Sequence, residues 1–185
     1  DIENILLFNE ESINVDFDIE YTFDDVISST ASIQVQLNPA SWFAGENFET
    51  DSFSGGYGFD GDWVVAGKVD TKKSNETYSG VYSLEVDHEK KVAGGSYAKR
   101  KIDLSGLSNM NIRFFARTKG IKHGDFMYFE ISEASGGPWQ TVDTWGKGAI
   151  DNYTYCEYDL SSYNLNSDFW IRFRCNSSKK IESFI

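Results

Sequence analysis

Between Met110 and Cys175 the chain alternates apolar and polar residues with a period of two, in four separate runs. Met110, Ile112, Phe114 and Ala116 alternate with Asn111, Arg113, Phe115 and Arg117. Phe126, Tyr128 and Glu130 alternate with Met127, Phe129 and Ile131; Tyr153, Tyr155 and Glu157 alternate with Thr154, Cys156 and Tyr158. Phe169, Ile171, Phe173 and Cys175 alternate with Trp170, Arg172 and Arg174. Successive side chains of a strand point to opposite faces, so each run offers one apolar row to a core. Gly136, Gly137 and Pro138 supply a turn between the second and third runs. This pattern predicts an all-β chain folded as an antiparallel β-sandwich.

The rest of the chain extends it. Ile13, Val15, Phe17, Ile19, Tyr21 and Phe23 alternate with polar residues, and Ile33, Val35 and Leu37 resume the alternation after Asp24-Asp25 and Ser28-Ser29. Residues 12–38 therefore read as a hairpin or two neighbouring strands, closed by Asn38-Pro39. Trp42 to Trp63 reads as a loop whose aromatics wrap a core. Strands are expected at Trp63-Val64-Val65, at Tyr82–Val86 after the Ser79-Gly80 turn, and at Ser96–Ile102 after Gly94-Gly95. Strands and turns about ten residues apart suit a sandwich or jelly roll. We divide the chain into an N-terminal strand and hairpin extension, 1–45, and a jelly roll, 46–185.

A net charge of −12 argues against nucleic acid or an anionic membrane as partner, because both demand basic surface. No apolar run approaches the ~18 residues of a membrane span. Cys156 and Cys175 are the two cysteines; each sits in a strand-like run, and a bridge between them suits an exported protein. Three acceptor triplets, at Asn75, Asn152 and Asn176, point to the same compartment, outside the cell or at its surface.

Several pieces resemble a known family. Phe48-Glu49-Thr50-Asp51-Ser52-Phe53 resembles the opening of jelly-roll modules in secreted bacterial and archaeal proteins, and Trp63 their tryptophan strand. Tyr78-Ser79-Gly80-Val81-Tyr82-Ser83-Leu84 resembles their "SG" turn, and Glu130-Ile131-Ser132 through Trp139 their Gly-Gly-x-Trp hairpin. Tyr158-Asp159-Leu160-Ser161 and Ile171-Arg172-Phe173 complete the likeness, which covers about residues 46–185. The fold is similar to galactose-binding-like and MAM-like sandwiches, which serve as adhesion, carbohydrate-binding or spacer modules. The resemblance implies one structural calcium ion near Glu49 and Ser79, with Asp51 and Glu3 as further ligands; calcium requires six to eight oxygens.

The family closes on a last strand that this chain barely begins at Ile181–Ile185. Its opening, Asp1-Ile2-Glu3-Asn4-Ile5-Leu6-Leu7-Phe8, resembles the missing continuation. Three arrangements satisfy this: the ends meet within one molecule, the leading strand fills a neighbour's groove, or the chain is one period of an array. Ile2, Ile5, Leu6 and Phe8 are the strand-completing residues in each. The main expectation drawn from this is a structural or adhesive building block of a surface filament or tandem-repeat protein, self-associating head to tail through its N-terminal strand.

Catalysis is not expected. His88 and His123 lie in polar, turn-like surroundings, and neither G-x-S-x-G nor H-E-x-x-H occurs. The alternative function is a carbohydrate-binding accessory module of a secreted hydrolase. A glycan needs exposed rings to stack on, and Trp139, Trp145, Tyr57 and Tyr153 lie in or beside loops where they can supply them.

Overall fold

The computed structural model describes residues 2–10, 13–23, 26–37, 40–73, 77–87, 94–176 and 183–184. Side chains are described from Phe43 to Asn176 within those segments and, before them, at Ile2 and residues 5–7. The strands in chain order are β1 (Ile2–Glu10), β2 (Ile13–Phe23), β3 (Val26–Leu37), β4 (Ala40–Glu46), β5 (Asp60–Ala66), β6 (Lys68–Lys73), β7 (Tyr82–Asp87), β8 (Ser96–Ile102), β9 (Met110–Ala116), β10 (Thr118–Lys119), β11 (Phe126–Ser132), β12 (Gln140–Trp145), β13 (Thr154–Asp159), β14 (Phe169–Asn176) and β15 (Ser183–Phe184).

Two antiparallel sheets form a sandwich of jelly-roll type. One runs β10-β15-β7-β1-β9-β13, with β4 paired to β1 and β6 to β7; the other runs β12-β11-β14-β8-β5. The hairpin β2-β3 pairs as a ribbon of its own. All four alternating runs become strands with one row inward; in β11 that row is Met127, Phe129 and Ile131, and in β13 it is Cys156 with half-buried Tyr158. Phe114 from the larger sheet meets Phe129 and Phe173 from the smaller at 5.1 and 5.0 Å between ring centroids, edge to face. Such aromatic pairs add about 0.5–1.5 kcal/mol each beyond the area they bury.

The leading strand is seated inside its own molecule. β1 runs between β9 on one side and β4 on the other. Ile2, Ile5 and Leu7 are fully buried and Leu6 is half-buried; the side chains of Glu3 and Phe8 lie outside the described residues. Ile2 pairs with Leu84 of β7 and Ala116 of β9. Phe184 pairs with Val86 of β7 and Thr118 of β10. The two ends of the chain thus follow one another along a single strand position, two residues apart on both neighbours. This is the first of the three arrangements. The boundary at residue 45 falls inside β4, which with β6, β10 and β12 was not anticipated as a strand.

The expected disulfide is absent. Cys156 and Cys175 are buried, unbridged thiols. β13 and β14 belong to opposite sheets and do not pair. Cys156 lies opposite Phe114 and donates its thiol to the Thr154 carbonyl at 3.7 Å, whereas Cys175 sits between Met127 and Ser96. Burial pushes the Cys156 thiol up to about 11, so it is an inert thiol at neutral pH.

One buried ion pair crosses the core. Arg100, on the inward side of β8, places Nη1 2.7 Å from Oε2 of Glu46 at the end of β4. Both side chains are almost wholly buried. Arg100 Nε donates to the Gly61 carbonyl, its guanidinium lies 4.4 Å from the Phe59 ring, and Glu46 Oε1 accepts the Phe48 N–H. The pair fastens the smaller sheet to the larger one.

Candidate functional site

The polar rows of the smaller sheet build a continuous outer face. Strand register puts Tyr128, Arg174 and Tyr97 in one row across β11, β14 and β8. The next row is Glu130, Arg172, Lys99 and Val64, and the third is Ser132, Trp170 and Lys101. Trp139, at the head of β12, lies over the middle of this face: the Arg172 guanidinium is 3.8 Å from its ring centroid and the Lys99 ammonium 5.8 Å. Lys99 also lies 4.8 Å from the Trp170 ring, Arg174 is 4.0 Å from Tyr128, and Arg172 is 5.6 Å from Tyr97. Each such contact is worth about 0.5–1 kcal/mol at an exposed position and holds ring and cation in a fixed relation.

Glu130 anchors the cations. Its carboxylate accepts Arg172 Nε at 2.7 Å and Arg174 Nη2 at 2.7 Å, with Arg174 Nε at 3.0 Å. Arg174 Nη1 donates onward to the Gly94 carbonyl. Trp170 is held by its indole N–H on Asp168, which also accepts the Ser135 N–H. Burial pushes the Glu130 carboxyl up, but the hydrogen bonds and charges of Arg174 and Arg172 outweigh it, and the group titrates below the ordinary glutamate range. A folded value below the unfolded one of about 4.3 stabilises the fold above that pH, and the stabilisation is lost as pH falls through the folded value. Melting temperature is therefore expected to drop below about pH 4, and Glu130→Gln to flatten part of that drop.

The four aromatics singled out in the sequence go to four places. Trp139 lies on the face just described. Trp145 is buried against Phe114, because its register opposite Met127 turns it inward, so it is no surface platform. Tyr57 is half exposed at the lip of a pocket of about 220 Å3 beside β4, lined by Leu6, Gly45, Glu46, Asn47 and Gly56. Tyr153 belongs to the outer face of the larger sheet, 4.8 Å from the Arg117 guanidinium and near Tyr78, which stacks on Phe115 at 3.7 Å. Tyr97, Tyr128 and Trp170, with Lys99, Arg172, Arg174 and Glu130, were not singled out. Their signal was the polar half of each alternating run.

Glu49 closes the turn that follows β6. Its Oε1 accepts the N–H groups of Val81 and Tyr82 at 2.8 and 2.9 Å. Gly80 is required there: its φ is +72°, and a Cβ would stand 2.2 Å from Glu49 Oε1. Ser79 lies exposed in the same turn, and Asp51 instead accepts the Thr71 hydroxyl at 2.9 Å. Among the described residues no three His, Cys, Asp or Glu side chains are grouped to share a metal ion, so they bring one carboxylate to the turn rather than a full oxygen shell. Asn152 and Asn176 are exposed, while Asn75 lies outside the described residues.

No protein-family model and no curated protein matches the chain. Among the solved structures similar to it are two carbohydrate-binding modules, each at 17% sequence identity. One is the carbohydrate-binding module TmCBM61 in complex with β-1,4-galactotriose, covering 74% of this chain and 88% of that one with a TM-score of 0.48. The other is the CBM22-1 xylan-binding domain of Paenibacillus barcinonensis Xyn10C, covering 72% and 86% with a TM-score of 0.43. These findings correct the main functional expectation. Both similar structures are carbohydrate-binding modules, not filament or adhesion subunits. The strand that head-to-tail assembly would donate is already paired at home with β9 and β4, so among the described residues it is not free to fill a neighbour's groove. No helix among the described residues is long and apolar enough to cross a membrane.

Proposed function

We propose that the chain is a carbohydrate-binding module of an exported protein, and that its glycan lies across the outer face of the smaller sheet. The observation that carries this reading is the interleaving on β8, β11, β14 and the head of β12. Tyr97, Tyr128, Trp139 and Trp170 are half-buried, each within cation–π distance of Lys99, Arg172 or Arg174. A sugar ring has an apolar face that stacks on an aromatic ring and an equator of hydroxyls that needs donors and acceptors within reach. This face offers both on rigid strands, where side chains are held by register rather than by a mobile loop. Of the two similar modules, one is in complex with an oligosaccharide, β-1,4-galactotriose, and the other is a xylan-binding domain.

Affinity electrophoresis through gels carrying plant and algal polysaccharides tests the reading. Retardation by at least one glycan is expected, and Trp139→Ala should weaken it about tenfold or more, the loss expected from removing roughly 100 Å2 of apolar stacking. Trp139→Ala is expected to keep the wild-type melting profile within a few degrees. Unretarded migration in every gel would contradict the reading.

Calcium stays part of the proposal, as a stabilising ion at the Glu49 turn. Glu49 is exposed there, and among the described residues its Oε1 accepts the Val81 and Tyr82 N–H groups while Oε2 has no hydrogen bond. Added CaCl2 is expected to raise the melting temperature in a way that Glu49→Gln abolishes. A midpoint indifferent to calcium and to chelator would leave Glu49 as a turn-closing group alone.

A further inference from the structure

We propose that the glycan taken by this face is acidic, a uronic-acid polymer whose carboxylates are received by Lys99, Arg172 and Arg174. This deepens the carbohydrate-binding reading and rests on it. The starting point is a local charge imbalance. In the middle of the face three cations meet one carboxylate, Glu130, leaving two positive charges in excess (three minus one) on a chain whose net charge is −12. The excess is confined to those rows: at the next outward position of β8, Lys101 pairs with Asp60 at 2.6 Å and also faces Asp168 and Asp103. An excess of cations in a strongly acidic protein is unexpected unless something anionic arrives.

The donors left over point the same way. Lys99 has no carboxylate in ion-pair contact among the described residues; its ammonium donates to the Ser135 carbonyl at 3.3 Å and otherwise lies over two indole rings. Arg172 lies against Trp139 with its side chain 13% exposed and engages Glu130 through Nε; among the described residues no hydrogen bond occupies Nη1 or Nη2, the pair of donors that matches a carboxylate bidentately. Arg172 and Arg174 are two residues apart on one face of β14, about 7 Å along the strand, and their charges oppose each other, with Glu130 between them. Lys99 sits one strand over from Arg172, about 4.8 Å away between backbones. An incoming carboxylate relieves that repulsion while the sugar ring that bears it rests on Trp139 or Trp170. A neutral sugar can use the same rings but gains nothing from the surplus charge.

Isothermal titration of the whole chain with tetragalacturonate, and with neutral galactotriose and xylotetraose, tests this. The expected result is tighter binding of tetragalacturonate, weakened by raising NaCl from 50 to about 500 mM. Lys99→Gln should cost about tenfold against tetragalacturonate, a charge-assisted hydrogen bond's worth, and clearly less against any neutral ligand, for which the glutamine amide keeps a hydrogen-bond donor. Lys99 is half-exposed, and an unchanged melting curve for the variant establishes that it folds. Binding of a neutral oligosaccharide as tight as that of tetragalacturonate, or affinity indifferent to Lys99→Gln, overturns the acidic assignment and leaves the module reading standing. Absence of binding to all three, joined by unretarded migration in every polysaccharide gel, overturns both.

Discussion

A chain lacking residues 1–10 is expected not to fold. β1 lies inside the larger sheet, between β9 and β4, and Ile2, Ile5 and Leu7 are fully buried in the core. Burying each of those side chains is worth about 1.5–3 kcal/mol, an upper estimate that together approaches the ~5–15 kcal/mol of a whole domain. Deletion also strips backbone partners from β4 and from most of β9 at once, leaving two unpaired strand edges facing an apolar slot. Circular dichroism and proton NMR on the truncated chain are the readouts. Loss of strand signal and of dispersed amide resonances is expected. A cooperative melt close to that of the full chain would mean that β1 is an appendage after all.

Arg100→Met is expected to destabilise the fold by about 3–5 kcal/mol, because it leaves the Glu46 carboxylate buried without its counter-ion. Glu46 retains only the Phe48 N–H on Oε1, and one neutral donor does not compensate a charge removed from water. For a chain of this length the loss corresponds to a fall in melting temperature on the order of 10 °C. Joining Glu46→Leu to Arg100→Met should recover much of the loss, since a pair of apolar side chains of similar volume carries no desolvation penalty. If the single variant melts within a degree or two of wild type, the crossing pair does not fasten the two sheets. If the double variant is no better than the single, packing against Phe59 and Trp63, rather than charge, is what Arg100 contributes.

Alternation made the fold legible. Every run between Met110 and Cys175 whose period was two became a strand with one row inward, because burial of one face leaves a strand no freedom of register; which row was less plain where both carry aromatics, as in Phe126–Ile131 and Tyr153–Tyr158. β4, β6 and β12 escaped notice for a physical reason: Ala40–Glu46 sets small residues beside its aromatics, Lys68–Lys73 has one apolar residue, and Gln140–Trp145 only Val142 and Trp145, so none shows an apolar period of two. The meeting of the two chain ends was also readable, since the apolar run after Asp1 had to be covered somewhere. Which molecule would cover it was not readable, because a strand donated within a chain and one donated between chains carry the same sequence.

The site was half legible for a related reason. Loop aromatics attract attention as ligand platforms, and by that criterion Trp139 was found, while Trp145 was chosen although register turns it to the core. Tyr97, Tyr128 and Trp170 stand in strands, where an aromatic at an outward position reads as ordinary sheet decoration. Only the pairing of β11 with β14 and of β14 with β8 reveals that three outward rows come together, with Glu130 at their centre. A run read for its apolar half discards that information.

Backbone amide shift mapping with a bound oligosaccharide tests glycan binding at this face most directly. Shifts are expected to cluster on Tyr97–Lys101, Tyr128–Ser132, Trp139 and Trp170–Arg174, with the opposite sheet unmoved. Shifts confined to the Tyr57 pocket, or to Tyr78 and Tyr153 on the larger sheet, would contradict the placement.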